Sequence, residues 1–199
     1  MNHGAWYNGK GSFNQDKTMT DNSPAQQENI FSSFARLYEE HMAYVFRYIS
    51  YRVGNQTVAE ELTSTVFEKA LEAFRKYDKE KASPRTWLIA IARNTVIDHF
   101  RKASTRNTVP LQEAIAVESG DPSPQEATER KEELQRLRFC YETLAQREQE
   151  IVSLKFGAEF TNRYIATALG LSETNVGQIL YRAVCKLRNC VKDWFNGKG

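Results

Sequence analysis

Apolar positions recur at helical spacing along most of the chain. Between Ile30 and Arg52, the residues Phe31, Phe34, Ala35, Tyr38, Met42, Val45, Phe46 and Ile49 fall on one side of a helix. Gly54-Asn55-Gln56 interrupts the pattern, and Thr57-Val58-Ala59-Glu60 reads as a capping box opening a second helix. That helix shows Val58, Leu62, Val66, Phe67, Ala70, Leu71 and Phe74, with Glu60, Glu61 and Glu68 away from the stripe. The charged run Arg75 to Ala82 predicts a loop. Ser83-Pro84, a cap followed by proline at the first helical position, then opens a helix reaching about Lys102. Residues 103–128 carry Pro110, Gly120, Pro122 and Pro124 and read as a linker. Helical spacing returns from Gln125 to Ala145 (Leu134, Leu137, Tyr141, Leu144) and from Gln146 to Phe156 (Ile151, Val152, Leu154), ending at Gly157. No segment alternates as a strand would. The pattern predicts an all-α chain: a polar tail over 1–27, helical domains over 28–103 and 127–199, and a flexible linker over 104–126.

The segment from Thr161 to Arg188 is the most specific. Thr161 can cap a short helix carrying Ile165, Ala166 and Leu169. Gly170 follows where a helix end needs a left-handed residue, and Leu171 points back into the core. Ser172 caps a longer helix whose apolar face is Val176, Ile179, Leu180, Ala183 and Leu187. This is the helix-turn-helix pattern, with Ala166 small where the two helices cross. An ordinary helical hairpin would not require small, glycine and apolar residues at all of these places. Such a second helix enters a major groove with its N-terminal residues at base edges. Those are Glu173, Thr174, Asn175, Gly177 and Gln178: Asn and Gln can read adenine, and Glu can accept from cytosine.

Charge sharpens this picture. The net charge of +2 conceals basic blocks at residues 73–106 (9 basic, 3 acidic) and 134–199 (10 basic, 6 acidic), separated by 107–133 (2 basic, 7 acidic). Basic blocks are where a polyanion would sit. In the first, Lys76, Lys79, Lys81 and Arg85 lie close to Tyr77 and Trp87, and Arg93, Arg101 and Lys102 follow on the helix. Basic groups interleaved with aromatic rings fit single-stranded nucleic acid, whose bases stack on the rings. Trp87, Ile91, Asn94 and Asp98 share one side of that helix, suggesting a hydrogen-bond network or a ligand-facing surface, although Trp87 alone reads equally well as core.

Other chemistry is poorly supported. Asp98 and His99 are adjacent and point apart, so they form no catalytic pair. Glu60, Glu61 and Asp98 supply no carboxylate cluster for a metal-dependent nuclease. No catalytic, metal or cofactor site is expected. The three cysteines, Cys140, Cys185 and Cys190, read as reduced buried thiols. No run of about 18 apolar residues exists to span a membrane, and the N-terminus lacks a secretory pattern, so a cytoplasmic protein is expected.

Four segments, in this order and spacing, resemble the extracytoplasmic-function sigma factors of the sigma-70 family. VAEELTSTVF is similar to the family's AEDLxQxxF, with Glu61 and Ser64 where Asp and Gln are usual. TWLIAIARNTVIDHFRK is similar to WLxxIARNxxxDxxR. LAQREQEIVSLKF resembles LPxxxRxVxxL. IATALGLSETNVGQILYRAVCKLR resembles IAxxLGxSxGTVxSRLxRAxxxLR, departing at Thr174-Asn175 and Gly177-Gln178; Tyr164 replaces the Glu common before it. The resemblance covers Phe31 to Trp194 except the linker.

It implies region 2 and region 4 domains and these roles. The helix with Glu60, Glu61, Leu62, Ser64 and Phe67 would bind the β and β-prime subunits of RNA polymerase core. Bottom-up, an acidic helix is useless for DNA and needs a protein partner. Lys76, Lys79, Lys81, Arg85, Trp87, Arg93, Asn94, Arg101 and Lys102 would recognise and melt the −10 element, with a flipped base held in the loop. Arg163, Ser172, Glu173, Thr174, Asn175, Gly177, Gln178, Tyr181, Arg182 and Lys186 would form the −35 surface, with Arg182 and Lys186 on phosphates. About 22 linker residues reach roughly 70 Å when extended, about two turns of duplex. Promoter DNA is thus an expected partner, and an anti-sigma factor is a partner common in the family. The competing reading is a free-standing helix-turn-helix regulator, which leaves the acidic helix and the first domain unexplained.

Overall fold

The computed structural model describes residues 24–106 and 124–196. The expectations for the tail, including Trp6, Tyr7 and Phe13, and for the reach of the linker concern residues outside these. Among the described residues there are seven α-helices and no strand: α1 (Pro24–Val53), α2 (Gln56–Ala73), α3 (Pro84–Arg106), α4 (Pro124–Glu142), α5 (Gln146–Val152), α6 (Asn162–Leu169) and α7 (Glu173–Asn196). A 3₁₀ turn, Phe74–Lys76, follows α2, and a π-helical turn, Ser153–Gly157, follows α5.

In the first half, α1 packs on both α2 and α3. Val45, Tyr48 and Ile49 of α1 meet Ala59, Val66 and Ala70 of α2 and Leu88, Ile89, Ala92 and Val96 of α3, all buried. In the second half, α7 crosses α4, α5 and α6. Ile151, Leu154, Ile165, Ala166, Val176 and Ala183 close that core.

The helix-turn-helix forms as its sequence dictates. The Thr161 side chain accepts from the Tyr164 N–H at 3.2 Å. Gly170 is left-handed with φ 66°. The Leu171 N–H returns to the Ala166 carbonyl at 2.9 Å, and Ser172 Oγ accepts from the Asn175 N–H at 3.1 Å.

Three sequence expectations are corrected. Asn55, not Thr57, caps α2: its side chain accepts from the Val58 N–H at 2.9 Å. Gly54, with φ 68°, ends α1 directly before it. An Asx cap two residues earlier satisfies the orphan Val58 N–H and leaves Thr57 inside the helix. Helices also intrude on the expected linker at both ends, because α3 continues to Arg106 and Pro124 stands at the first position of α4, where proline costs no hydrogen bond. Cys140 and Cys190 form a disulfide, 50 residues apart in sequence, since α4 and α7 pack together; only Cys185 is a free thiol.

The two helical domains are also packed together: the π-turn lies along α1, and one continuous core cluster runs through both. A Cβ at Gly157 would stand 2.9 Å from Tyr48 Cα, so the backbones touch there and only glycine fits.

Candidate nucleic-acid interface

The loop between α2 and α3 is a built structure. Tyr77 stacks on Trp87, ring centroids 4.5 Å apart, and its hydroxyl donates to the Ala82 carbonyl at 2.8 Å. Asp78 Oδ1 accepts from the Glu80 N–H at 3.0 Å, and that bond holds the carboxyl below its ordinary range. These bonds hold a tight loop on which Lys76, Lys79 and Lys81 are exposed. Burial of Tyr77 pushes its phenol up, so it stays neutral. Trp87 is half-buried, with one ring face committed to Tyr77. On α3, Asn94 is exposed, as are Arg101 and Lys102, and Arg101 pairs with Asp98 at 3.0 Å. Of the side carrying Trp87, Ile91, Asn94 and Asp98, Asn94 is exposed and Asp98 half-buried, while Trp87 and Ile91 pack against the core.

Arg85 and Arg93 are placed differently from the rest of this basic set. Arg93 Nε pairs with Glu150 Oε1 of α5 at 2.5 Å. Arg85 donates to the Ala158 carbonyl, lies 3.8 Å from Glu159 Oε2, and stacks over the Tyr44 ring at 3.9 Å. Both face the second half of the chain.

On the helix-turn-helix, Ser172, Glu173, Thr174, Gln178, Tyr181 and Arg182 are exposed, while Asn175 and Gly177 are half-buried. Tyr181 is the most exposed large hydrophobic residue among these, at 72%. The interior face of α7 is fixed by Val176, Leu180 and Ala183, so its outer face is presented rigidly. Arg163 is exposed on α6. Lys186 donates to both oxygens of Glu148, at 2.8 and 3.0 Å. Burial raises the Glu148 carboxyl pKa, but Lys186 and the Ala145 N–H outweigh it and hold the group below its ordinary value.

The acidic helix α2 presents Glu60, Glu61 and Ser64 to solvent. Leu62 is half-buried, and Phe67 is buried, edge-on to Tyr38 with centroids 4.6 Å apart. Phe67 therefore supports this surface from beneath. Beside it runs a groove of 1320 Å³ between α1, α2 and α4, lined by Tyr38, Met42, Glu60, Ser64, Leu71, Leu137 and Phe139 among others. The apolar members of this groove escaped sequence reasoning. Tyr38 and Met42 belong to the same helical stripe as core residues Val45 and Ile49, so periodicity alone could not separate floor from core. The signal lay in the stripe's width, since an α-helix in a small bundle cannot bury so broad a face.

Among the described residues no group of His, Cys, Asp and Glu side chains could hold a metal ion. No helix among them is long and apolar enough to cross a membrane.

Two family profiles match the chain: Sigma-70 region 2 over residues 37–106 and Sigma-70, region 4 over residues 141–189. The chain is 32% identical over 161 residues to the ECF RNA polymerase sigma factor BldN of Streptomyces coelicolor, covering 81% of this chain and 61% of that relative. It is 30% identical over 155 residues to the ECF RNA polymerase sigma factor SigL of Mycobacterium tuberculosis, covering 76% of this chain and 85% of that one. The solved structure of the sigma factor RpoE in complex with the anti-sigma factor NepR, from Bartonella quintana, shares the fold. Its TM-score is 0.58 at 16% identity, with 85% of this chain and 98% of that chain covered.

Proposed function

The chain belongs to the ECF RNA polymerase sigma factors of the sigma-70 family, and from that premise we propose that it is a promoter-specificity subunit of RNA polymerase. The α2 face with Glu60, Glu61, Leu62 and Ser64, supported by Phe67, docks on the β and β-prime subunits of the core. The loop with Lys76, Lys79 and Lys81, together with Trp87, Asn94, Arg101 and Lys102, takes the −10 element as single strand; Arg85 and Arg93 join it when the halves separate. Unstacking costs about a few kcal/mol per base, and stacking and charge contacts offset it without ATP. Arg163 and the outer face of α7, from Ser172 through Gln178 to Tyr181, read the −35 element in duplex form, with Arg182 and Lys186 on phosphates.

One observation carries this reading. A helix exposing Glu60 and Glu61 sits in the same half as an exposed basic loop. DNA repels the first and attracts the second, so this half needs a protein partner and a nucleic-acid partner at once. A free-standing regulator has no use for the acidic face. The chain performs no catalytic step of its own in this scheme and acts in the cytoplasm, where promoters are. An anti-sigma factor is a further partner, supported by the size and apolar lining of the groove beside α2.

The test is co-elution with purified core polymerase. Wild type should co-elute, and Glu61→Lys should not while keeping its helical circular dichroism. Retention of Glu61→Lys would place the polymerase-binding face elsewhere.

A further inference from the structure

Beside the shared apolar core, the two halves meet through short and specific polar contacts. Arg47 Nη2 meets Glu159 Oε1 at 2.6 Å, and Arg93 Nε meets Glu150 Oε1 at 2.5 Å, with Glu150 only 17% exposed. Arg85 reaches both Glu159 and the Ala158 carbonyl. From the other side, Arg138 Nη1 donates to the Tyr51 carbonyl at 3.0 Å and covers Gly54. Between these pairs the π-turn rests on α1 at Gly157. Tyr164 of α6 bonds Thr86 at the start of α3, and burial raises its phenol pKa.

Glu159 is the hinge of this arrangement. It is the one non-glycine residue with positive φ, 54°, among those described. A non-glycine residue is held in that region only when its surroundings fix it. Here the Phe160 N–H returns to the Leu154 carbonyl at 3.0 Å, and the carboxylate is drawn to Arg47 and Arg85 of the other half. The turn is shaped to present one carboxylate to two guanidinium groups across the interface.

The same interface contains a weakness. Arg52 is 5% exposed, and its Nε and Nη1 lack hydrogen-bond partners. Its side chain also bonds Tyr141 of the second half, so the unmet donors offset part of what that contact across the interface contributes. The closure is thus held by ion pairs beside the shared apolar packing of the π-turn on α1.

We propose that this chain is self-closing: Glu150 and Glu159 of the second half clamp Arg93, Arg85 and Arg47 of the first, withholding two −10 arginines from DNA until polymerase core draws the halves apart. The two carboxylates act as mimics of DNA phosphate, occupying the guanidinium groups that phosphate would take. The withholding rests on assigning Arg85 and Arg93 to nucleic acid; the closure itself does not.

The test uses the full chain free in solution. Small-angle scattering gives its radius of gyration, and fluorescence anisotropy gives its affinity for a labelled oligothymidylate strand. Two variants leave every basic residue intact: the double substitution Glu150→Gln with Glu159→Gln, and Gly157→Ala, whose methyl group wedges against the Tyr48 backbone. Both should enlarge the radius of gyration and bind the strand more tightly, by roughly fivefold for the double substitution, which removes three ion pairs. Wild type at rising salt should expand as well, because salt screens the clamp; this arm needs no substitution. An unchanged radius across both variants and the salt series would overturn closure while leaving the sigma-factor reading intact. Variants that open but bind the strand no better would overturn the withholding.

Discussion

Lys186 of α7 holds both carboxylate oxygens of Glu148 at the start of α5, at 2.8 and 3.0 Å. This pair ties α7 to α5, and the Glu148 carboxylate also takes the Ala145 N–H at 2.9 Å. The folded carboxyl is held below its ordinary value of 4.5, since these contacts outweigh the upward pull of burial. A carboxyl depressed by folding contributes stability that is complete above its unfolded value and is lost as pH falls through the folded one. The urea midpoint of the wild type should therefore drop faster on acidification below 4.5 than that of Glu148→Gln. Parallel curves for the two proteins would show that the pair contributes nothing to folding.

Gly170 makes the turn of the helix-turn-helix at φ 66°, with open space where a Cβ would stand. Substitution by alanine meets no clash, so its whole effect is the left-handed backbone. Gly170→Ala should destabilise by about 1–2 kcal/mol, read by chemical denaturation. A change near zero would mean the turn relaxes to another conformation.

On the outer face of α7, Gln178 and Arg182 are both exposed, four residues apart, and should behave in opposite ways. Gln178→Ala should cost about 1–3 kcal/mol at one base pair of the −35 element and little elsewhere, if it makes the bidentate adenine contact its type allows. Arg182→Ala should weaken all promoters alike and reduce the salt slope by about one. Binding titrations of the holoenzyme on a set of single-base promoter variants separate the two. A shift in base preference from Arg182→Ala would contradict its phosphate role.

How much of this was legible in the sequence depended on the range of the forces involved. The cap at Thr161, the turn at Gly170 and the buried stripe of α7 are local, and each is written within a few residues. The α2 cap was misplaced by two residues because Asn55 and Thr57 are both good caps, and local spacing favoured the box with Glu60. The Cys140–Cys190 bond joins helices 50 residues apart, and no local pattern encodes the packing of α4 on α7. Lys79, Lys102 and Gln178 are exposed, as charge and periodicity lead one to expect. Arg85 and Arg93 were legible as basic but not as paired, since Glu150 and Glu159 approach them only through packing of the π-turn on α1. Gly157 carried a hint: a glycine ending an apolar helix can mark a close backbone approach as well as a stop.

The central claim is that this chain directs polymerase to promoters through two DNA-reading surfaces mounted on one enzyme. Run-off transcription with purified core polymerase on genomic fragments tests it most directly, with and without the full chain. The account predicts discrete transcripts that require both core and chain and that vanish with Glu61→Lys. Transcripts unaffected by the chain, or specific binding of duplex promoter DNA by the chain alone with no effect on initiation, would contradict it.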